Sequence, residues 1–182
     1  IVVTPIDQNT GSKFAAITFA QVDSSGTTTL ASSPSGAPPP SGFTLGNPPI
    51  YYDIETTAGY SGSIRVCINY GDTYFQNENE LKLYHYEDSA WVDRTELPID
   101  TTNDIICGNV TTLSPFALFE PKYCLGDLDT DGDGDGSDLH ALIGSFAGTS
   151  GEGDINGDGH VNNSDLLLFL NSFGRNDCAS TP

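Results

Sequence analysis

The sequence predicts two domains of different fold class, an all-β sandwich over residues 1–121 and a small all-α domain over residues 122–182. Short runs rich in Thr, Val, Ile and Tyr alternate with turn residues through the first domain, which is the pattern of a sandwich. The second domain carries one 12-residue acidic pattern twice, with the copies 27 positions apart. An apolar pattern of helical period follows each copy.

Eight strands are predicted in the first domain from their composition and from the turns between them. Two pairs of strands flank short turns, at residues 23–26 and 87–89, and are predicted to be hairpins. Residues 33–48 are rich in proline and glycine and are predicted to be a loop. The predicted strands are residues 14–22, 27–32, 50–57, 63–70, 81–86, 90–94, 104–110 and 115–120.

The strand at residues 63–70 alternates apolar and other residues, which predicts the side that faces the core. The core-facing side chains are expected to be Ile64, Val66, Ile68 and Tyr70. Cys67 is then expected on the opposite face. Trp91 is the only tryptophan and is expected to pack in the sandwich, although stacking on a sugar stays open. His85 is expected on the surface of its strand.

Composition and charge exclude several classes of partner. A formal net charge of −19 should repel nucleic acid and anionic lipid, so neither nucleic-acid binding nor membrane insertion is expected. The chain opens on Ile1 without Met or a signal peptide, which predicts a mature form or a fragment of a longer exported protein. Few lysines and many Thr, Ser, Gly and Asn indicate an extracellular or cell-surface location.

The four cysteines are expected to form disulfides, because an even number in an exported protein favours oxidation. Cys67 and Cys107 lie in two predicted strands, whereas Cys124 precedes the first acidic loop and Cys178 follows the second helix. The pairs Cys67–Cys107 and Cys124–Cys178 are favoured, since each stays inside one domain. A metal site and four free thiols are the alternatives.

Each acidic loop has oxygen-bearing side chains at positions 1, 3, 5, 9 and 12 and glycine at position 6. This is the ligand order of an EF-hand calcium loop, with Asp instead of Glu at position 12. Glycine permits the sharp bend, and position 7 contributes its backbone carbonyl. Two Ca2+ ions are therefore predicted. The candidate ligands are Asp127, Asp129, Asp131, Asp133, Asp135 and Asp138 in the first loop, and Asp154, Asn156, Asp158, His160, Asn162 and Asp165 in the second.

Both loops lead into a predicted helix, with position 12 in its first turn. Apolar residues recur at i, i+3, i+4 and i+7, which predicts one buried stripe on each helix. The stripes are Leu139, Leu142, Ile143 and Phe146, and Leu166, Phe169, Leu170 and Phe173. Gly148 and Gly174 are expected to end the helices. An acidic disordered tail is the alternative, but such a tail has no reason to repeat a loop and an apolar helix.

Enzymatic activity is not expected. His85, His140 and His160 lie in a strand, a helix and an acidic loop, and none accompanies a nucleophile motif. The sequence has no phosphate-binding glycine loop and no His-Glu-x-x-His zinc motif. A pair of carboxylates at the separation used by glycosidases stays open, although the densest group of carboxylates is already assigned to calcium.

Residues 126–139 and 153–166 resemble the two halves of a type I dockerin. The resemblance covers residues 124–178 and implies two loop–helix units related by a near two-fold, each holding one Ca2+. It also implies docking onto a cohesin-like domain of a partner protein, from the C-terminus of a larger exported bacterial protein.

In dockerins the partner is contacted by loop positions 10 and 11 and by the following helix. The resemblance therefore implies a partner-binding face at Ser137, Ile143, Ser164, Leu170 and Asn171. Cellulosomal dockerins often carry Ser-Thr and Lys-Arg at such positions, so their partner specificity is not implied here. Gly134 at loop position 8, where the second loop has Val161, is a further departure, and a looser first loop is expected.

The first domain resembles, more loosely, the Ig-like β modules of bacterial surface proteins, on residues 51–57, 66–70 and 106–108. No activity follows from that likeness. Two alternatives to docking stay open: a purely structural calcium-stabilised terminus, and a carbohydrate-binding β-sandwich with a docking tail in a polysaccharide-associated protein. Exposed apolar residues on a helix favour docking, and a row of aromatic side chains on a sheet face favours carbohydrate binding.

Overall fold

The computed structural model describes residues 1–113, 115–146, 151 and 153–179. The chain divides into two compact units. The β unit comprises Ile1–Pro40 and Thr44–Glu120, and the loop–helix unit comprises Ser41–Phe43 and Pro121–Pro182. The sequence offers no signal that residues 41–43 belong with the second unit.

The described residues form eleven strands and two α-helices. The strands are β1 (Val2–Val3), β2 (Ala15–Ser24), β3 (Thr28–Ser33), β4 (Phe43–Leu45), β5 (Tyr51–Thr56), β6 (Gly59–Asn69), β7 (Lys82–Glu87), β8 (Ala90–Asp93), β9 (Thr95–Asp100), β10 (Ile105–Val110) and β11 (Phe116–Pro121). The helices are α1 (Gly136–Ser145) and α2 (Asn163–Leu170).

Two antiparallel sheets share one apolar core in the β unit, so the unit is a β-sandwich. The strand order is β1-β2-β6-β10-β9 in the first sheet and β3-β5-β11-β7-β8 in the second, with β4 beside β11. The alternation predicted for β6 is confirmed, because Ile64, Val66 and Ile68 are fully buried and Tyr70 is 2% exposed. They pack with Leu30, Ile54, Leu83, Phe116 and Leu118 of the second sheet.

One predicted hairpin is wrong and the other is confirmed. β2 pairs with β6 and β3 pairs with β5, so the chain crosses from one sheet to the other at residues 25–27. β2 pairs along most of its length with the apolar strand β6, where Ile17 lies opposite Val66, and β3 pairs with β5, where Leu30 lies opposite Ile54. β7 and β8 do pair with each other, with Tyr86 opposite Trp91.

Three strands were not predicted, and each has a local reason. β1 has only two residues and β4 only three, which is too short to show alternation. β4 also lies inside the segment that was predicted to be a loop. β9 contains Pro98 and lies at the edge of its sheet, where a missing N–H donor is tolerated.

Two aromatic residues were predicted on the wrong face of the second sheet. His85 is fully buried on the inner face, where its ring stacks on Phe116 with centroids 4.5 Å apart. Trp91 lies on the outer face, stacked on Tyr51 at 6.0 Å, and not between the sheets. Strand register determines both positions, because His85 lies opposite Phe116 and Trp91 lies opposite Tyr86, one residue along from His85.

Candidate functional site

The two acidic loops of the loop–helix unit form the candidate site. In the first loop, carboxylate oxygens of Asp127, Asp129 and Asp131 lie within 4.8 Å of one another. Oxygens of Asp133, Asp135 and Asp138 form a second group of the same size. The spacing therefore brings six acidic side chains of one short segment into two neighbouring groups.

Loop position 12 joins the two ends of each loop. Asp138 is fully buried, and its Oδ1 accepts hydrogen bonds from the backbone N–H of Leu128 (2.7 Å) and Asp129 (3.1 Å). Asp165 is also fully buried and accepts from the N–H of Asn156 (3.1 Å) and Asn162 (2.8 Å). The backbone hydrogen bonds, led by that from Asn162, lower the pKa of Asp165.

The carboxylate at loop position 1 accepts hydrogen bonds from backbone N–H groups at the bend of each loop. Asp127 accepts from the N–H of Asp131 and of Gly132, both at 3.1 Å, and Asp154 accepts from the N–H of Gly159 at 2.9 Å. The two glycines at position 6 have φ of +97° and +85°, a left-handed conformation that a side chain disfavours. The predicted role of these glycines in the bend is confirmed.

Loop position 9 has a function that the sequence analysis missed. Asp135 and Asn162 are the N-caps of α1 and α2. Their side chains accept from the N–H of Ser137 (2.6 Å) and Ser164 (2.8 Å). Both belong to capping boxes completed by the position-12 carboxylate. The signal was present as Asp or Asn three residues before an acidic residue at the start of an apolar run.

The carboxylates of the first loop repel one another. Desolvation, followed by the charges of neighbouring carboxylates, raises the pKa of Asp129 and of Asp133. Asp133 was predicted to act through its backbone carbonyl alone, yet its carboxylate lies in the second acidic group. The first loop has six carboxylates and the second has three, so the repulsion is concentrated in the first.

Each loop contains a buried oxygen that fits a cation. Oδ1 of Asp154 and Oδ1 of Asp133 are buried without a hydrogen-bond partner in the described part of the chain. In the second loop, Asn156 and Asp158 are exposed and hydrogen bond to each other. An unpartnered buried carboxylate oxygen is costly unless it meets a proton or a cation. Ca2+, which selects carboxylate and amide oxygens, matches this donor set.

The helices bury only half of their predicted apolar stripes. Leu142, Val161 and Phe169 form a small buried core, with Leu139 and Leu166 half-buried beside it. Ile143 and Leu170, in contrast, are 61% and 54% exposed, and Phe146 and Phe173 are also exposed. The prediction of one fully buried stripe is therefore wrong, because each short helix has a single layer of core to pack against.

The predicted ends of the helices also need correction. α1 ends at Ser145 with Phe146 as its C-cap, and α2 ends at Leu170 with Asn171 as its C-cap. Gly174 has φ of +81° but lies three residues beyond that cap. Gly148 lies outside the described residues.

The chain after α2 runs along the first loop. Gly134 donates to the carbonyl of Arg175 (2.8 Å) and accepts from the N–H of Gly174 (2.7 Å), and Cys178 donates to the carbonyl of Gly132 (3.1 Å). A side chain at Gly134 would meet the carbonyl of Ser172 at 2.5 Å. These backbone bonds fix the first loop to the chain after α2 at Gly132 and Gly134. Whether that loop is looser than the second stays a prediction.

The predicted partner-binding residues all lie on the surface. Ser137 and Ser164 occupy the second position of their helices. Ile143 and Leu170 are equivalent residues of the two halves, 27 positions apart. The exposed set is Ser137, Ile143, Ser164, Leu170 and Asn171.

Both favoured disulfides are present, Cys67–Cys107 in the β unit and Cys124–Cys178 in the loop–helix unit. These bonds are compatible with an extracellular protein. Over the described residues, no helix has the length and apolar character needed to span a membrane. Comparisons of the chain with protein-family models, with curated proteins and with solved structures found no match.

Proposed function

We propose that the loop–helix unit is a calcium-dependent docking module of the dockerin kind, which attaches the protein to a cohesin-like partner domain. One observation carries the proposal. Two equivalent acidic loops lead into two helices, and the equivalent apolar residues Ile143 and Leu170 are 61% and 54% exposed. Exposed apolar groups at matched positions are typical of a protein-binding surface.

Bound calcium stabilises the folded conformation of both loops. The ion is held by side chains at loop positions 1, 3, 5 and 12, and in the first loop also by the buried Oδ1 of Asp133. Asp135 and Asn162 are engaged chiefly as helix caps. Bound Ca2+ supplies positive charge that offsets the carboxylate repulsion and joins the loop to the first turn of its helix. The cation thereby orders the helices whose outer faces contact the partner.

The exposed residues favour docking over a purely structural calcium terminus. A structural module gains nothing from leaving Ile143 and Leu170 in water, because burying such a side chain contributes about 1.5–3 kcal/mol. The acidic surface also suits a partner with a basic or neutral face, since residues 123–182 contain 11 acidic side chains and one basic one.

A pull-down from the surface proteins of the source organism tests the proposal. We expect a partner to be retained in calcium and released by a chelator. Changing both Ile143 and Leu170 to Asp should abolish retention. Leu97→Asp in the β unit is the matched control. Leu97 is 69% exposed and lies outside the docking module, so this change should leave retention of the partner intact. Retention that survives both the chelator and the double change would overturn the proposal.

A further inference from the structure

The outer face of the second sheet in the β unit carries a group of packed aromatic rings. The rings of Tyr51 and Trp91 are stacked with centroids 6.0 Å apart. Tyr86 and Phe119 approach Trp91 edge-on, at 5.0 and 5.1 Å. These side chains come from four strands of one sheet, β5, β7, β8 and β11. The group is separate from the core, which lies on the other face.

The segment from Ser33 to Pro38 forms a wall beside these rings. The Tyr51 hydroxyl donates to the carbonyl of Ala37 at 2.9 Å, and Trp91 Nε1 donates to the carbonyl of Pro38 at 2.8 Å. Gly36 lies directly on the Tyr51 ring, because a side chain there would meet the ring at 2.6 Å. The wall is therefore preformed, which lowers the ordering cost of binding a ligand.

Wall and rings enclose a cavity of about 250 Å³. This is slightly below the usual range for small-molecule sites, about 300–1,000 Å³, and suits a single ring. Asp53 is an exposed residue of the lining, and its carboxylate makes no hydrogen bond within the described residues. The lining residues that the argument uses are Gly36, Ala37, Tyr51, Asp53, Tyr86 and Trp91.

We propose that this cavity binds one pyranose ring of a neutral polysaccharide. A pyranose presents C–H groups on its faces and hydroxyls around its edge. The faces can pack against Tyr86 and Trp91, as apolar surface packs on aromatic rings, while the hydroxyls donate to Asp53 in charge-assisted hydrogen bonds. This activity belongs to the β unit and does not depend on docking by the loop–helix unit.

Charge selects the class of sugar. The protein has a formal net charge of −19, and among the described residues that line the cavity Asp53 is the one side chain that carries a charge at neutral pH. A uronic acid would bring a like charge to this carboxylate, which opposes binding. Neutral hexoses, pentoses and N-acetylated hexosamines carry the hydroxyl donors that Asp53 accepts without that repulsion.

The only tryptophan of the chain lies in this cavity, so its fluorescence reports occupancy directly. We would titrate the whole protein with oligosaccharides of glucose, mannose, xylose and N-acetylglucosamine, with oligogalacturonate as the charged comparison. At least one neutral oligosaccharide should give a saturable change in emission. Asp53→Asn should weaken that binding about tenfold, as expected for a lost charge-assisted hydrogen bond, and Tyr86→Ala should weaken it by a similar factor.

Tyr74→Ala is the matched control, because Tyr74 is a 68% exposed aromatic that does not line the cavity. It should bind sugar like the unmodified protein. The proposal is overturned if no neutral sugar changes the emission, or if Asp53→Asn and Tyr86→Ala bind as well as Tyr74→Ala. It is also overturned if a proline-rich peptide changes the emission and sugars do not, since the cavity would then be a peptide site.

Discussion

Gly126 donates its backbone N–H to the hydroxyl of Ser172 at 2.9 Å, across 46 residues of sequence. A Cβ on Gly126 would meet that hydroxyl at 2.6 Å and the Phe169 ring at 2.8 Å. The approach recurs in the other half, where a Cβ on Gly153 would meet the Ser145 hydroxyl at 2.1 Å. Each loop is thus entered through a glycine packed on the serine near the end of the opposite helix.

Gly126→Ala should destabilise the loop–helix unit by roughly 1–3 kcal/mol, because the new methyl group has no space in this contact. Gly144→Ala is the control, since nothing lies within 4 Å of a Cβ there. Alanine at that helical position should stabilise α1 by about 0.5–1 kcal/mol. Hydrogen exchange of the unit's amides, with calcium in excess, measures both effects. Equal protection of the two variants would contradict the close approach.

Removing calcium should unfold the loop–helix unit and leave the β unit folded. Among its described residues, the loop–helix unit has a small buried apolar core made of Leu142, Val161 and Phe169, with the Cys124–Cys178 disulfide also buried. Such a core is marginal for a segment of this size. A ligand that binds the folded form alone supplies the missing stability. Circular dichroism in excess chelator should show loss of helix, and added salt should restore part of it by screening the carboxylates. Helix content unchanged by the chelator would disprove the idea.

The partner face should tolerate one change and not two. Ser137 and Ser164 occupy equivalent positions, so the module can present either helix if the partner accepts both orientations. Ser137→Asp or Ser164→Asp alone should then cost little. Both together should weaken binding 100-fold or more, because either orientation buries an unpaired carboxylate, at about 3 kcal/mol.

Misfolding should not cause the loss of partner binding in the double variant, because an acidic residue in the first turn stabilises a helix N-terminus. Changing the exposed Ser25 and Ser63 to Asp adds the same charge elsewhere and should leave binding intact. If a single change at Ser137 or Ser164 abolishes binding as completely as the pair, the partner uses one fixed orientation.

Acid should weaken the β unit through His85. Burial, opposed by Glu87 and assisted by Arg94, lowers the pKa of His85 below its ordinary value of 6.5. As the pH falls, His85 therefore binds a proton in the unfolded chain before it does so in the folded chain. The contribution of neutral His85 to the free energy of unfolding is fully present above pH 6.5 and is lost progressively below it. Melting temperatures between pH 8 and 5.5 should decline for the natural protein and stay flatter for His85→Phe. His140→Gln, at an exposed site, should decline like the natural protein.

Features encoded by local spacing were predicted from the sequence. The glycine bends at Gly132 and Gly159 and the inward face of β6 follow from short-range pattern. The two disulfides span 40 and 54 residues and follow from keeping each pair inside one domain. The two-sheet sandwich follows too, since eight of the eleven strands in the described residues show the composition of a strand between turn residues.

Features decided by distant partners were not predictable in the same way. Whether β2 pairs with β3 depends on β6 and β5, which begin 26 and 18 residues beyond the end of β3. Helical period identified an apolar side on each helix but not how much of it the other half of the unit covers. The sequence therefore placed Ile143 and Leu170 both in a buried stripe and on the expected partner face, and spacing did not decide between the two. Asp135 and Asn162 have oxygens that serve as helix caps or as ligands, and spacing alone does not distinguish the two.

Calorimetric titration of the metal-stripped protein with Ca2+ tests the central claim most directly. We predict two sites, with the first loop binding more tightly and with stronger salt dependence, because it has six carboxylates against three. Asp127→Ala and Asp154→Ala should each remove one site and leave the other. A titration that shows one site or none, or an Asp127→Ala protein that still binds two ions, would contradict the assignment of these loops to calcium.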